Sequence, residues 1–221
     1  MGVTCLLMLH EASQRPAVWR FVSDNFSPSW GVVAPQLHGC MSIEEMQSAI
    51  DHDVNATFIE PPIFVVATGE AAIPAIEYAL HTCGKENLRG IFLSGPRMSI
   101  TAGALRVARL RASVLGVSSR GKRSKRAVVT DAEPAQTLAY REALRSCDVS
   151  RAIEDLRGMA VPVRIVAASK DRPGSAGARE LCELLPNAEF FSIEQAEADW
   201  NAYAPAHFAA NVAEFIFKVT E

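Results

Sequence analysis

The sequence predicts an α/β protein in which about six mostly parallel strands carry helices on both faces, with a small helical cap inserted near the middle. Three observations carry this expectation. Short apolar runs alternate with stretches of helical periodicity along the whole chain, the βαβ pattern of a parallel sheet. The 221 residues are 49% hydrophobic, enough for one sizeable core, and contain no internal repeat or low-complexity linker. Polar landmarks also recur where the apolar runs stop, at the carboxyl edge where such sheets bind ligands.

Taken in order, Thr4 to Glu11 is an apolar strand ending in His10, and Pro16 to Phe26 is a helix carrying Trp19. Gly31-Val32-Val33 opens the second strand, which runs into Ala34-Pro35-Gln36-Leu37-His38-Gly39-Cys40. Ile63 to Val66 is the third, followed by Ala67-Thr68-Gly69-Glu70-Ala71 and a helical run from Ala72 to His81. Leu88 to Ser94 reads as a buried strand, Val161 to Asp171 as a strand ending at an acid, and Ala188 to Ile193 as the last strand. Pro205 to Val219 is the closing helix.

Between the fourth and fifth strands, residues 97–157 are expected to form the cap, leaving 1–96 and 158–221 as the core. Met98 to Val117 places Leu105, Ala108, Ala112 and Leu115 at roughly helical spacing, and Ala135 to Arg145 makes a second cap helix. Residues 97 to 126 hold nine Lys or Arg, including Arg97, Arg106, Arg109 and the loop Arg120 to Arg126, and no Asp or Glu. Two readings stay open: a solvated basic face, or attraction of a carboxylate-bearing ligand to the mouth of the site.

A net charge of −3 gives no global reason to expect nucleic acid or an anionic membrane as partner. The five cysteines are scattered without C-x-x-C spacing, which argues against a disulfide framework or a metal site, and no cofactor is expected. No apolar run approaches the ~20 residues of a membrane span, and no signal-peptide pattern opens the chain, so cytoplasmic residence is expected.

These segments together resemble the α/β-hydrolase family. Ala67 to Ala71, between strand and helix, corresponds to the G-x-S-x-G nucleophile elbow, with Gly69 in the place of the serine. Glycine cannot attack, yet it tolerates the positive φ that the turn demands. Val32 to Ser42 is similar to the family's VVAPDLPGHGxS segment with Gln36 for its aspartate, and Val161 to Asp171 to its PVLVIxGxxD strand. The resemblance places Asp171 at the triad acid and Ala198, beside Asp199 and Trp200, at the histidine, and implies that the chain starts at the family's third strand. Serine-hydrolase activity is therefore not expected.

On this frame the substrate site draws on His10, Glu11, Ala12, His38, Thr68, Gly69, Glu70, Ser94, Met98, Leu110 and Trp200. Asp171 is either a working carboxylate or a helix cap. His10 and His38 are either general bases or loop supports. Glu11 and Glu70 put carboxylates beside the backbone donors of an oxyanion hole, unless they turn outward. Met98, Leu110, Phe190 and Trp200 either wall a ligand site or are plain core.

Gly69, Ala198 and the basic cap together resemble a small group of atypical members of the fold, the bottromycin-type peptide epimerases. That resemblance implies epimerisation of an aspartate α-carbon beside a thiazoline in a ribosomally made, modified macrocyclic peptide, with a substrate carboxylate as base. A carboxylate-bearing modified peptide is then the partner. Two alternatives are a catalytically dead binding protein and a hydrolase with its nucleophile relocated to Cys40 or Thr68.

Overall fold

Apolar runs that must be buried on both faces need helices on both sides of the sheet they form. The computed structural model describes residues 4–57, 62–82, 87–115, 131–145 and 147–221, with the backbone alone at 104, 111, 112, 114 and 115. Its six strands are β1 (Cys5–Leu9), β2 (Gly31–Val33), β3 (Ile63–Thr68), β4 (Leu88–Ser94), β5 (Val163–Ala168) and β6 (Ala188–Ile193). All pair in parallel, in the order β2-β1-β3-β4-β5-β6.

Alternation along the strands sorts the core into two layers. Leu7, Leu9, Val65, Ala67, Ile91, Leu93 and Ile165 face one side, where α2 (Ile43–Thr57), α3 (Ala72–His81), α6 (Val149–Arg157) and α7 (Arg172–Leu184) supply Ile50, Ile76, Leu156 and Leu181. Leu6, Met8, Phe64, Val66, Phe92 and Val166 face the other side, covered by α1 (Val18–Ser23), α8 (Trp200–Tyr203) and α9 (Pro205–Thr220) through Trp19, Trp200, Phe208 and Phe215. Arg164 on β5 is a buried exception. It binds Glu189 at 2.7 Å and Glu214 at 3.1 Å, and its guanidinium lies over the rings of Phe191 and Phe215.

Elements β4 and β6 and helix α3 have the bounds expected from the sequence. Helix α1 is shorter than Pro16 to Phe26 because Ser23 and Asn25 turn their side chains back onto the carbonyls of Arg20 and Phe21, closing its last turn. Between β4 and β5, α4 (Ala102–Leu115) and α5 (Pro134–Leu144) pack on each other and share an Arg109–Glu142 ion pair of 2.9 Å. Helix α6, which the sequence reading put in the cap, packs on the core helices α3 and α7. The expected basic loop from Arg120 to Arg126 lies outside the described residues.

The strand order reverses at β1. From β1 the chain goes to β2 on one side and then crosses to β3 on the other, in register from Cys5 opposite Ile63 to Leu9 opposite Ala67. The crevice beyond the carboxyl ends of β1 and β3 is therefore the topological switch point, where ligands of such sheets bind. Among the described residues no helix is long and apolar enough to cross a membrane.

Candidate active site

Four loops meet at the switch point. The β1 loop brings Glu11 and Ser13, the β3 turn brings Gly69 and Glu70, the β4 loop brings Arg97, and β5 leads to Asp171. Thr68 is extended, and a single 3-10 turn over Gly69–Ala71 then feeds α3. Gly69 has φ 57°, in the left-handed region that this strand-to-helix turn requires. A Cβ built on it would collide with the Glu11 carboxylate oxygen Oε2 and stand 3.1 Å from the Glu11 Cβ. The volume in which a nucleophilic side chain would begin is thus filled by a carboxylate from the neighbouring loop.

Glu11 is only 6% exposed and Glu70 only 4%. Ser13 Oγ donates a hydrogen bond to Glu11 Oε1. Glu70 Oε1 accepts from Arg141 on α5 at 2.6 and 2.9 Å, while its Oε2 is buried without a partner. Arg97 stands among three carboxylates, its Nη1 3.9 Å from both Glu11 and Glu70 and its Nη2 3.4 Å from Asp171. Its backbone N–H also bonds the carbonyl of Gly69 at 3.1 Å, tying the β4 loop to the elbow. Asp171 caps α7 by accepting from Gly174 N at 3.2 Å, and tucks in so closely that side chains at Gly95 or Gly174 would strike it.

Four carboxylates, counting Asp199, therefore share two guanidiniums. Burial, reinforced by the negative charges of Glu70 and Asp199, pushes Glu11 up to about 7, against the opposing pull of Arg97 and Ser13. Burial also raises Asp199, with Asp131, Asp171 and Glu70 adding to it and Arg97 opposing. Desolvation works against the charged form of Arg97, but Glu11, Glu70 and Asp171 outweigh it and raise its pKa. Glu11 consequently takes up a proton close to neutral pH.

The histidines build the β1 loop. His10 Nδ1 donates to the Glu11 carbonyl at 3.0 Å and Nε2 accepts from Leu37 N at 3.5 Å. Burial, with the nearby His38, pulls its pKa down to about 3, so it stays neutral. His38 stacks on it at 4.7 Å and donates from Nε2 to the carbonyl of Ala12. Tyr140 on α5 donates its phenol to the His10 carbonyl at 3.1 Å; burial first, then Glu70 and Glu11, hold that phenol protonated.

Neither relocated nucleophile is activated. The Cys40 thiol is pushed up by burial and by Glu45, the wrong direction for a thiolate. Thr68 is buried and its hydroxyl has no hydrogen-bond partner, hence no base. Ala198, expected from the sequence at the histidine slot, is exposed, and Trp200 turns inward to donate from Nε1 to Ser94 Oγ at 2.8 Å. Met98 lies beside Arg97 and lines a separate cavity of about 720 Å³ with Ile73, Ile100, Leu144, Val149 and Ile153. Leu110 is 63% exposed on α4, and no described contact joins it to the cluster. Among the described residues no three His, Cys, Asp or Glu side chains are grouped to hold a metal ion.

Sequence reasoning assigned Arg97 to the basic cap face, whereas its guanidinium turns in and is spent on protein carboxylates. Arg109 is likewise paired, so these two cations are not free to draw a ligand carboxylate. Arg141 went unnoticed as the second inward guanidinium. No sequence signal singled it out, because Gln136, Thr137 and Glu142 are polar residues of the same helix.

No protein-family model and no curated protein sequence matches the chain. Solved structures do. A thermophilic esterase from Thermogutta terrifontis superposes with TM-score 0.77 at 14% identity, covering 99% of this chain and 92% of its own. The enol-lactonase from Burkholderia xenovorans gives 0.77 at 13% identity over 98% and 92%. A bromoperoxidase from Bacillus anthracis gives 0.75 at 12% identity over 97% and 91%. With the strand order and the elbow, these likenesses identify the architecture as the α/β-hydrolase fold.

Proposed function

We propose that this protein is a non-hydrolytic enzyme of the α/β-hydrolase fold that moves a proton at a carbon acid. Its reaction is epimerisation of an aspartate α-carbon beside a thiazoline in a ribosomally made, modified macrocyclic peptide. One observation supports the non-hydrolytic part: Gly69 stands at the strand-to-helix turn with φ 57°, and the space for any side chain there is taken by the Glu11 carboxylate. Hydrolysis by the fold's usual route needs a nucleophile and a histidine, and Gly69 and Ala198 supply neither. A proton transfer at an acidified α-carbon needs only a base, orientation and a site shielded from water. The aspartyl-thiazoline substrate is supported by the sequence resemblance, and the strand order puts the carboxylate cluster at the switch point, where ligands of such sheets bind.

The test uses a synthetic macrocyclic peptide with an aspartate preceding a thiazoline, incubated with the protein in D2O. One deuterium should appear at the aspartate α-carbon, and either diastereomer should give the same mixture. Binding without exchange or change of configuration would support a binding protein instead. That second reading is favoured by how closed the cluster is, with both glutamates almost fully buried and knitted to Arg97.

A further inference from the structure

We infer that the cavity of about 720 Å³ flanked by α3, α5, α6 and α7 is a pocket for a bulky apolar side chain of the peptide ligand, and that it decides which peptides bind. This rests on the peptide ligand of the reading above, and it holds whether that peptide is turned over or only held. The carboxylates of the cluster do not line the cavity, yet the chain carries it close to them. Met98 follows Arg97, Ile73 stands three residues beyond Glu70 and Leu144 three beyond Arg141, the last two spacings being about one helical turn, roughly 5 Å. Successive residues of an extended peptide advance by about 3.3 Å, so a residue one or two places from the reacting aspartate reaches the cavity.

Apolar side chains from separate elements converge on this volume. Ile73 and Leu144 are fully buried, while Met98, Ile100, Val149 and Ile153 pack on the core but stay only partly covered. Leu184 joins them from the end of α7 with 41% of its surface exposed. An apolar group entering the cavity removes this surface from water, which is favourable, and the volume lies in the range of about 300 to 1,000 Å³ usual for ligand pockets.

The polar part of the lining favours a peptide over other apolar ligands. Arg145, Glu154, Arg157 and Glu180 are exposed, bring both signs of charge to the cavity, and among the described residues none of the four is spent in an ion pair. An acyl chain has a head of one sign and would set it against the residues of that same sign. A phosphate-bearing ligand would face Glu154 and Glu180 together with Asp148. A peptide backbone offers carbonyl acceptors and N–H donors in alternation with little net charge, and so meets both signs. Asp148 is already engaged, capping α6 by accepting from Arg151 N at 3.2 Å. The Cys147 thiol donates to Glu77 at 3.0 Å, and burial together with that carboxylate pushes it up to about 12, so the pocket holds its ligand without a reactive thiolate.

The experiment measures by calorimetry the Kd of the full chain for the macrocyclic aspartyl-thiazoline peptide with alanine at both positions before the aspartate, and for the same ring with phenylalanine at either one. One of the phenylalanine rings should bind about 10- to 100-fold more tightly than the alanine ring, and lysine at that position should abolish the gain. Ile153→Trp, which fills the cavity from α6, should reduce the preference to about twofold or less. If that variant fails to fold by circular dichroism, Ser150→Trp, from an exposed position in the first turn of the same helix, serves instead. Decanoate should not displace the phenylalanine ring, and displacement by it overturns the peptide assignment in favour of an acyl ligand. Equal binding of the phenylalanine and alanine rings by the wild-type protein, or a preference that survives the tryptophan, overturns the pocket and leaves the epimerase reading to the deuterium test. Selective binding without deuterium exchange supports the pocket and overturns the epimerase, and no binding of any ring overturns both.

Discussion

The carboxylate of Glu11 lies where a side chain on Gly69 would begin, although the two residues belong to loops that follow different strands. The register of β1 on β3, with Leu9 opposite Ala67, sets their two loops side by side. At this turn the space beside the glycine is therefore occupied by the acid of the neighbouring loop.

Gly69→Ser should therefore destabilise the protein even though the fold places serine there. It adds a left-handed non-glycine residue and a Cβ that collides with Glu11. We expect a loss of about 1 to 3 kcal/mol in denaturant unfolding. In a Glu11→Ala background the collision with the carboxylate disappears, only the 3.1 Å approach to the Cβ of residue 11 remains, and the penalty should shrink by about 1 kcal/mol or more. Additive losses would show that the two residues do not compete for space.

Arg97→Met should be costly in a pH-dependent way. It leaves the buried charges of Glu11, Glu70 and Asp171 facing one another with Arg141 alone on Glu70. Removing one partner of buried ion pairs costs about 3 to 5 kcal/mol. That loss should be largest near pH 8 and fall toward pH 5 as the carboxylates take up protons. A constant loss across this range would mean that Arg97 acts through packing.

Glu11→Gln should stabilise the protein increasingly as pH rises. Because the folded pKa of Glu11 is raised from 4.5 to about 7, its contribution to stability is complete below about 4.5 and is lost as pH rises through about 7. Glutamine mimics the protonated form. The variant should match the wild type near pH 4.5 and exceed it above pH 7, by at most on the order of 3 kcal/mol. Equal melting temperatures at pH 8 would contradict the raised proton affinity.

His10 works in the opposite sense. Its folded pKa is depressed from 6.5 to about 3, so the stability it contributes is complete above about 6.5 and is lost as pH falls toward 3. Replacing it with Gln keeps a polar side chain for the Glu11 carbonyl and Leu37 N–H but removes the titration. His10→Gln should cost about 1 to 3 kcal/mol at pH 7 and flatten the acid limb of the stability profile. An unchanged acid limb would place the titrating group elsewhere.

Much of the fold could be read from the sequence because both faces of a parallel strand are buried. Leu88 to Ser94 is bounded by the same residues that bound its apolar run, whereas the edge strand Ala188 to Ile193 keeps its expected bounds although only Ile193 is fully buried. Gly69 was legible too, since strand, turn and helix follow one another locally. The inward charges were not. Arg97 meets Glu11, Glu70 and Asp171 across long separations in sequence, and a basic residue opening a basic stretch looks like a solvated face. Only the sheet order brings these loops together. The reciprocal amide pair of Gln14 and Asn201, 187 residues apart, was hidden for the same reason.

Cleavage of an activated ester tests most directly the claim that the elbow has lost its hydrolytic chemistry. With p-nitrophenyl acetate and stoichiometric amounts of protein, rapid mixing should show no burst and a steady rate no higher than that of an unrelated protein surface, because Gly69 offers no nucleophile and Ala198 no base. A burst of p-nitrophenol equal to the protein concentration would contradict it and point to an acylated residue at this site.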